Sequence, residues 1–168
     1  MILCLGLPNS GKTLLLRSLS CYPDKIEKFE TVSTVGINLV NLNCSLNESI
    51  TIREIGGSME PIWENYLNSN VTHILFTIDV SNPVEIGSNV ITLINLFNSL
   101  SVKLCQPRLL LVLTKLDSIG TIKLDETISG LLVDDLISLH SLNNSIEIIG
   151  TSAITGQGLD DIIKWLSS

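Results

Sequence analysis

The sequence predicts an α/β fold: a mixed, mostly parallel six-stranded sheet with helices on both faces. Three observations carry that prediction. Apolar β-type runs alternate with stretches of helical period. Two of the runs, His73–Ile78 and Leu109–Leu113, are almost continuously apolar, which suits central strands covered on both sides. The glycine-bearing stretch Gly6–Thr13 follows a short apolar run and precedes a leucine-rich one, in the order strand, loop, helix.

Each element follows in turn. Ile2-Leu3-Cys4-Leu5 opens a strand expected over 2–6, and Leu14-Leu15-Leu16-Arg17-Ser18-Leu19 gives a helix over 12–20. Strands over 37–43 and 49–55 have no helix between them, only Cys44-Ser45-Leu46-Asn47-Glu48, so they read as an antiparallel hairpin at the sheet edge. A helix is expected over 60–69, a strand over 72–78, a helix over 84–101 and a strand over 108–114. The chain then gives a helix over 125–140, a strand over 145–150 and a last helix over 158–167. Its 168 residues suffice for one domain with a proper core, and 45% hydrophobic against 16% charged residues excludes a disordered chain.

The net charge of −7 argues against nucleic acid and anionic membrane surfaces as partners, since both require a basic patch. No apolar run reaches the roughly 18 residues of a membrane span. The four cysteines form no C-x-x-C pair and read as reduced thiols of a cytoplasmic protein. Residue 2 is Ile, which leaves no myristoylation glycine, and the end Lys164-Trp165-Leu166-Ser167-Ser168 has no prenylation cysteine. The expectation is a monomer without a covalent membrane anchor, meeting any membrane through partners.

The most specific chemistry lies at Gly6–Thr13, which reads G-L-P-N-S-G-K-T and fits G-x-x-x-x-G-K-[ST] at every fixed position. Gly6 and Gly11 let backbone N–H groups turn inward around an anion, with Pro8, Asn9 and Ser10 completing the cradle. Lys12 is placed to reach the β- and γ-phosphates of a nucleotide, and the Thr13 hydroxyl to hold Mg²⁺. Two later loops fall at the same expected sheet edge. Thr114-Lys115-Leu116-Asp117 ends one strand, and Thr151-Ser152-Ala153 ends the next before Gly156-Gln157-Gly158. A carboxylate at Asp117 can accept both N1–H and the exocyclic amine of guanine, a donor pair that adenine lacks. Taken alone, T-K-x-D is equally an ordinary strand-to-helix turn.

In this order the loops resemble those of Ras-superfamily small GTPases and imply their P-loop fold. T-K-L-D looks like the guanine-reading motif, with Thr114 in place of the usual Asn and the Lys115 stem lying on the base. Thr151-Ser152-Ala153 is similar to the S-A-K loop: Ala153 would offer its N–H to guanine O6, Ser152 would orient Asp117, and Ile154 replaces Lys. Glu54-Ile55-Gly56-Gly57 falls where the family carries D-x-x-G, and the doubled glycine resembles the Arf-like branch. Thr34-Val35-Gly36-Ile37-Asn38 resembles the T-I-G-F-N of that branch. The resemblance implies a GTP/GDP switch: Thr34 ligates Mg²⁺ with Thr13, Glu54 takes part through water or directly, and the Gly57 N–H meets the γ-phosphate. It also implies effectors, an exchange factor and an activating protein, with a role in membrane or ciliary traffic and a Golgi or ciliary site.

The departures carry expectations too. Ser58 stands where a Gln orients the attacking water, and its hydroxyl is too short for that part. Glu54 replaces Asp, and Pro8 restricts the phosphate loop. Slow intrinsic hydrolysis through Lys12, Thr34, Gly57 and a weak Ser58 follows, with dependence on an activating protein. The effector positions map to Ile37, Arg53, Trp63 and Tyr66. The face bearing Trp63 and Tyr66 reads either as partner surface or as core. Two rival functions stand beside the switch. One is a GTP-holding pseudo-GTPase that never cycles; the other is an ATP-using phosphotransferase, for which no arginine-bearing lid is found.

Overall fold

The computed structural model describes residues 1–23, 31–45, 48–119 and 146–168. Six strands form one sheet in the order β2-β3-β1-β4-β5-β6. They are β1 Ile2–Leu5, β2 Ile37–Ser45, β3 Glu48–Ile55, β4 His73–Asp79, β5 Arg108–Thr114 and β6 Ile146–Gly150. Every neighbouring pair is parallel except β2 with β3, which pair antiparallel as a hairpin at one edge. Among the described residues the α-helices are α1 Lys12–Cys21, α2 Ile86–Val102 and α3 Leu159–Ser167. The helix expected over 125–140 lies outside the described residues.

The apolar runs explain the layering. Alternate side chains of β1 and its neighbours feed two separate cores, one on each face of the sheet. On one face Leu3, Leu5, Phe76 and Ile78 pack against Leu93, Leu96 and Phe97 of α2. On the other, Cys4, Leu75, Leu110 and Val112 meet Leu15, Leu16 and Leu19 of α1 and Ile162 and Trp165 of α3. Strands buried on both faces need apolar residues at both parities, which is why β4 and β5 read as continuous hydrophobic runs.

Below the sheet's amino ends, Trp165 is a hub. Its Nε1 donates to Glu147 at 2.7 Å, the Arg108 guanidinium lies 5.0 Å over its ring, and His73 meets it edge-on. Burial, with Arg108 nearby, holds His73 below the usual histidine pKa.

One expected element is corrected. The stretch read as a helix over 60–69 is a 3₁₀ helix, Gly57–Tyr66, with Pro61 inside it. Pro61 has no N–H to give to an i−4 carbonyl, and the tighter winding repeats every 3.0 residues. The partner-surface reading of Trp63 fails with it. Trp63 is 4% exposed, sits edge-on to Phe76 at 6.2 Å, and donates Nε1–H to Gly56 O at 3.3 Å. Leu67 is buried as well, while Ile37 remains exposed and Arg53 and Tyr66 half-buried. Trp63→Phe is expected to cost about 1–2 kcal/mol through the lost hydrogen bond and ring volume. A lower midpoint of chemical denaturation at unchanged slope is the check.

Candidate functional site

All the parallel strands end at one edge of the sheet, and the loops that follow β1, β3, β5 and β6 gather there. The loop after β1 is shaped by backbone conformations that few residues adopt. Gly6 has φ +150°, Asn9 φ 62° and Gly11 φ 84°. A Cβ on Gly6 would run into Thr77 Oγ1 and would stand 2.6 Å from Thr77 O and 2.7 Å from Ser10 Oγ, so only glycine passes. Ser10 Oγ shares a 2.7 Å hydrogen bond with Thr77 Oγ1, which fixes the loop to β4. Thr114 Oγ1 donates to Ser10 O at 2.8 Å, so the short hydroxyl that replaces Asn does tie the base-side loop to the phosphate loop.

Lys12 begins α1 and is 6% exposed. Its ammonium donates to Gly6 O and Leu7 O, both at 2.9 Å, which folds it back across the loop. Burial lowers its pKa, while Cys4 and Glu54 oppose that shift. Burial pushes the Cys4 thiol beneath it up to about 12, so that sulfur is no nucleophile at neutral pH.

Thr13, Thr34 and Glu54 come together from α1, the loop before β2 and the end of β3. The two hydroxyls are 3.0 Å apart. Both donate to Glu54 Oε1, Thr34 at 3.1 Å and Thr13 more closely. The Glu54 carboxylate is fully buried. Two hydroxyls and a carboxylate are hard oxygen donors, the kind that Mg²⁺ takes, so the residues present fit that ion. Gly57 closes the other side. Its Cα rests on the phosphate loop, where a Cβ would meet Pro8 N and lie 2.6 Å from Leu7 C. A cavity of about 420 Å³ opens between these groups, lined among others by Asn9, Lys12, Thr13, Thr34, Gly57 and Lys115. Ser58 also lines it and is exposed.

The loops after β5 and β6 are laced together. Ser152 Oγ donates to Asp117 Oδ1 at 2.5 Å and accepts the N–H groups of Ile154 and Thr155. Leu116 N donates to Thr151 O at 3.2 Å, and Thr151 Oγ1 to Gln157 O at 2.7 Å. Asp117 is exposed, with its carboxylate held by the buried Ser152. Ala153 is anchored to α1, its carbonyl accepting from Ser18 Oγ at 2.9 Å, and Ile154 is 57% exposed.

Sequence reasoning missed two participants. Lys115, at φ 64°, pairs with Asp79 Oδ2 at 2.5 Å, so an acid at the end of β4 sets where the lysine stem lies. The signal was a lone Asp closing an apolar strand. Asn38 was read as part of a motif and given no role, yet its amide reaches Glu54 Oε2 at 3.2 Å. Ile37, Arg53 and Tyr66 do not line the cavity.

With this geometry in place, the likenesses are consistent along the whole chain. The sequence profile of the ADP-ribosylation factor family matches residues 1–168. ADP-ribosylation factor-like protein 16 of Homo sapiens is 31% identical over 174 residues, spanning 100% of this chain and 85% of its own length. ADP-ribosylation factor-like protein 6 of Danio rerio is 27% identical over 168 residues, spanning 98% and 85%. Among solved structures, the Arl6 BBS3 small GTPase from Trypanosoma brucei, with the nucleotide analogue GppNp bound, superposes with a TM-score of 0.79. It is 20% identical and covers 99% of this chain and 94% of its own, a likeness of fold.

Proposed function

Because the chain belongs to the ADP-ribosylation factor family, we propose that it is a guanine-nucleotide switch that binds GTP and GDP and hydrolyses GTP slowly. The observation that carries this reading is the meeting of Thr34 with Thr13 and Glu54. It joins the loop before β2 to Thr13, in the first turn of α1. Such a loop reports on whatever occupies the cavity, which is what a switch requires.

The roles follow from position. Asp117, oriented by Ser152, reads guanine, while Ala153 and Ile154 border the base. Lys12, Gly11 and the turned N–H groups of the loop, Pro8 excepted, bind the phosphates. Gly57 contacts the γ-phosphate through its N–H, and Thr13 and Thr34 face the cation. Mg²⁺ bound there supplies positive charge beside the phosphate oxygens. Ser58 offers a hydroxyl on a short arm and orients water poorly, so an activating protein completes the site. Ile37, Arg53 and Tyr66 form the surface that effectors and an exchange factor read. The same reading makes the protein a cytoplasmic monomer that reaches Golgi or ciliary membranes through partners. Among the described residues no helix is long and apolar enough to cross a membrane.

The test begins with the nucleotide released on denaturing freshly purified protein, followed by single-turnover hydrolysis of loaded GTP. Guanine nucleotide with slow hydrolysis is expected, and adenine nucleotide would overturn the assignment. Ser58→Gln should raise the single-turnover rate on the order of tenfold, by restoring an arm that reaches the water. Retained GTP in both the natural protein and this variant would favour the second reading, a nucleotide-holding module that never cycles, to which Ser58 and Glu54 point.

A further inference from the structure

Asn38 lies directly opposite Glu54 in the β2–β3 register. Its amide Nδ2 donates to Glu54 Oε2 at 3.2 Å, while the other carboxylate oxygen receives the hydroxyls of Thr13 and Thr34. One buried carboxylate is thus held at both ends. With Oε2 occupied, the group does not turn about its last bond, and Oε1 stays aimed at the two threonines. A hydroxyl that gives its proton to a carboxylate keeps its lone pairs for a cation. Holding the threonines this way therefore leaves them ready to ligate. Glutamate has the reach for both hydroxyls. An aspartate starting from the same Cα is a methylene shorter and stands to lose one. The hinge of the loop is closed separately, by Gly56 N donating to Gly36 O at 3.0 Å.

We propose that Asn38 is a positioning residue: through Glu54 it latches Thr34 to Thr13, so that with GTP bound the loop before β2 stays closed with or without a divalent cation. The inference rests on the guanine-nucleotide reading above and concerns how that site is regulated. In a switch whose loop is fastened by the ion, cation removal frees the loop. Here the fastening hydrogen bonds belong to the chain itself.

The test uses the full chain loaded with an excess of a non-hydrolysable GTP analogue, and elastase as the probe of loop opening. Val32 and Val35 are both exposed and suit that protease, but cleavage needs the segment to leave the body of the protein. When opening is fast, the cleavage rate reports the open population. In the natural protein the rate with EDTA should stay within about twofold of the rate with Mg²⁺. Asn38→Ala should raise it about tenfold in EDTA, as expected for losing one hydrogen bond to a carboxylate. Glu54→Asp should do the same and be rescued by Mg²⁺. Asn41→Ala, further along the same strand, should leave the rate alone. Nucleotide content is read on the same samples. Bound analogue with rapid natural-protein cleavage in EDTA would overturn the latch alone. Bound analogue with Asn38→Ala and Glu54→Asp both indistinguishable from Asn41→Ala would overturn it too. Failure to hold guanine nucleotide would sink the reading beneath it.

Discussion

Asp117→Asn should exchange the base that the site accepts, from guanine to xanthine. Asp117 carries two acceptor oxygens, and guanine presents two donors to match, N1–H and the exocyclic amine. The substitution turns one acceptor into a donor, which then faces the amine as donor against donor. Xanthine carries a carbonyl at that position, and the new amide fits it. The substitution is conservative for the rest of the site. Ser152 Oγ reaches Asp117 Oδ1 at 2.5 Å, and an amide oxygen there accepts the same bond. The lacing of the two loops by Leu116 N, Thr151 and Gln157 does not involve the carboxylate at all. Losing one hydrogen bond to a charged acceptor, at about 1.5–3 kcal/mol, weakens GDP binding by about ten- to a hundredfold, and the facing donors add to that. Competition of fluorescent GDP with GDP and XDP measures it. An unchanged preference would remove Asp117 from the base-reading role and leave T-K-L-D as an ordinary turn.

The loop proposed for that role was legible in the sequence because its pattern is local: a short loop after a strand, with a carboxylate at a fixed offset. The same holds for the phosphate loop and for the strands, whose apolar runs follow directly from burial on both faces. What was not legible depends on pairing across the sheet. Asn38 gains its role from the residue facing it on β3, and register is a property of two strands, not of one. Asp79 acts because parallel β4 and β5 place it beside Thr114, next to Lys115. Trp63 was ambiguous for a different reason. A short amphipathic stretch looks alike whether its apolar stripe meets a partner or the core, and the shift from a period of 3.6 to 3.0 decided which side chains turn inward. Thr77 went unread inside the apolar run of β4: its buried hydroxyl has to be satisfied, and Leu5 O and Ser10 Oγ satisfy it.

Gly57→Ala should separate the two nucleotide states, weakening GTP far more than GDP. No positive φ is required at this position, so the backbone itself accepts alanine. The obstacle is space. The added methyl would overlap Pro8 N and lie 2.6 Å from Leu7 C and 2.9 Å from Gly6 O. All three are backbone atoms of the phosphate loop, held in turn by Lys12, Ser10 and Thr77, so they do not yield as a flexible side chain would. The 3₁₀ segment beginning at Gly57 must move instead, and its N–H leaves the place where a γ-phosphate would meet it. One hydrogen bond to a charged phosphate is worth about 1.5–3 kcal/mol, so affinity for a non-hydrolysable GTP analogue should fall about ten- to a hundredfold. GDP, which lacks the γ-phosphate, should keep its affinity within about threefold, since the groups that bind its phosphates and base lie on other loops. Gly56→Ala makes the contrast informative. There the methyl would strike Thr34 O, on the loop before β2, so its effect should run through Thr34 and the cation. Titration of both nucleotides against each variant, with and without Mg²⁺, separates the two. Equal losses for GTP and GDP in Gly57→Ala would mean that the segment after β3 carries the phosphate loop with it, and that Gly57 does not sense the γ-phosphate.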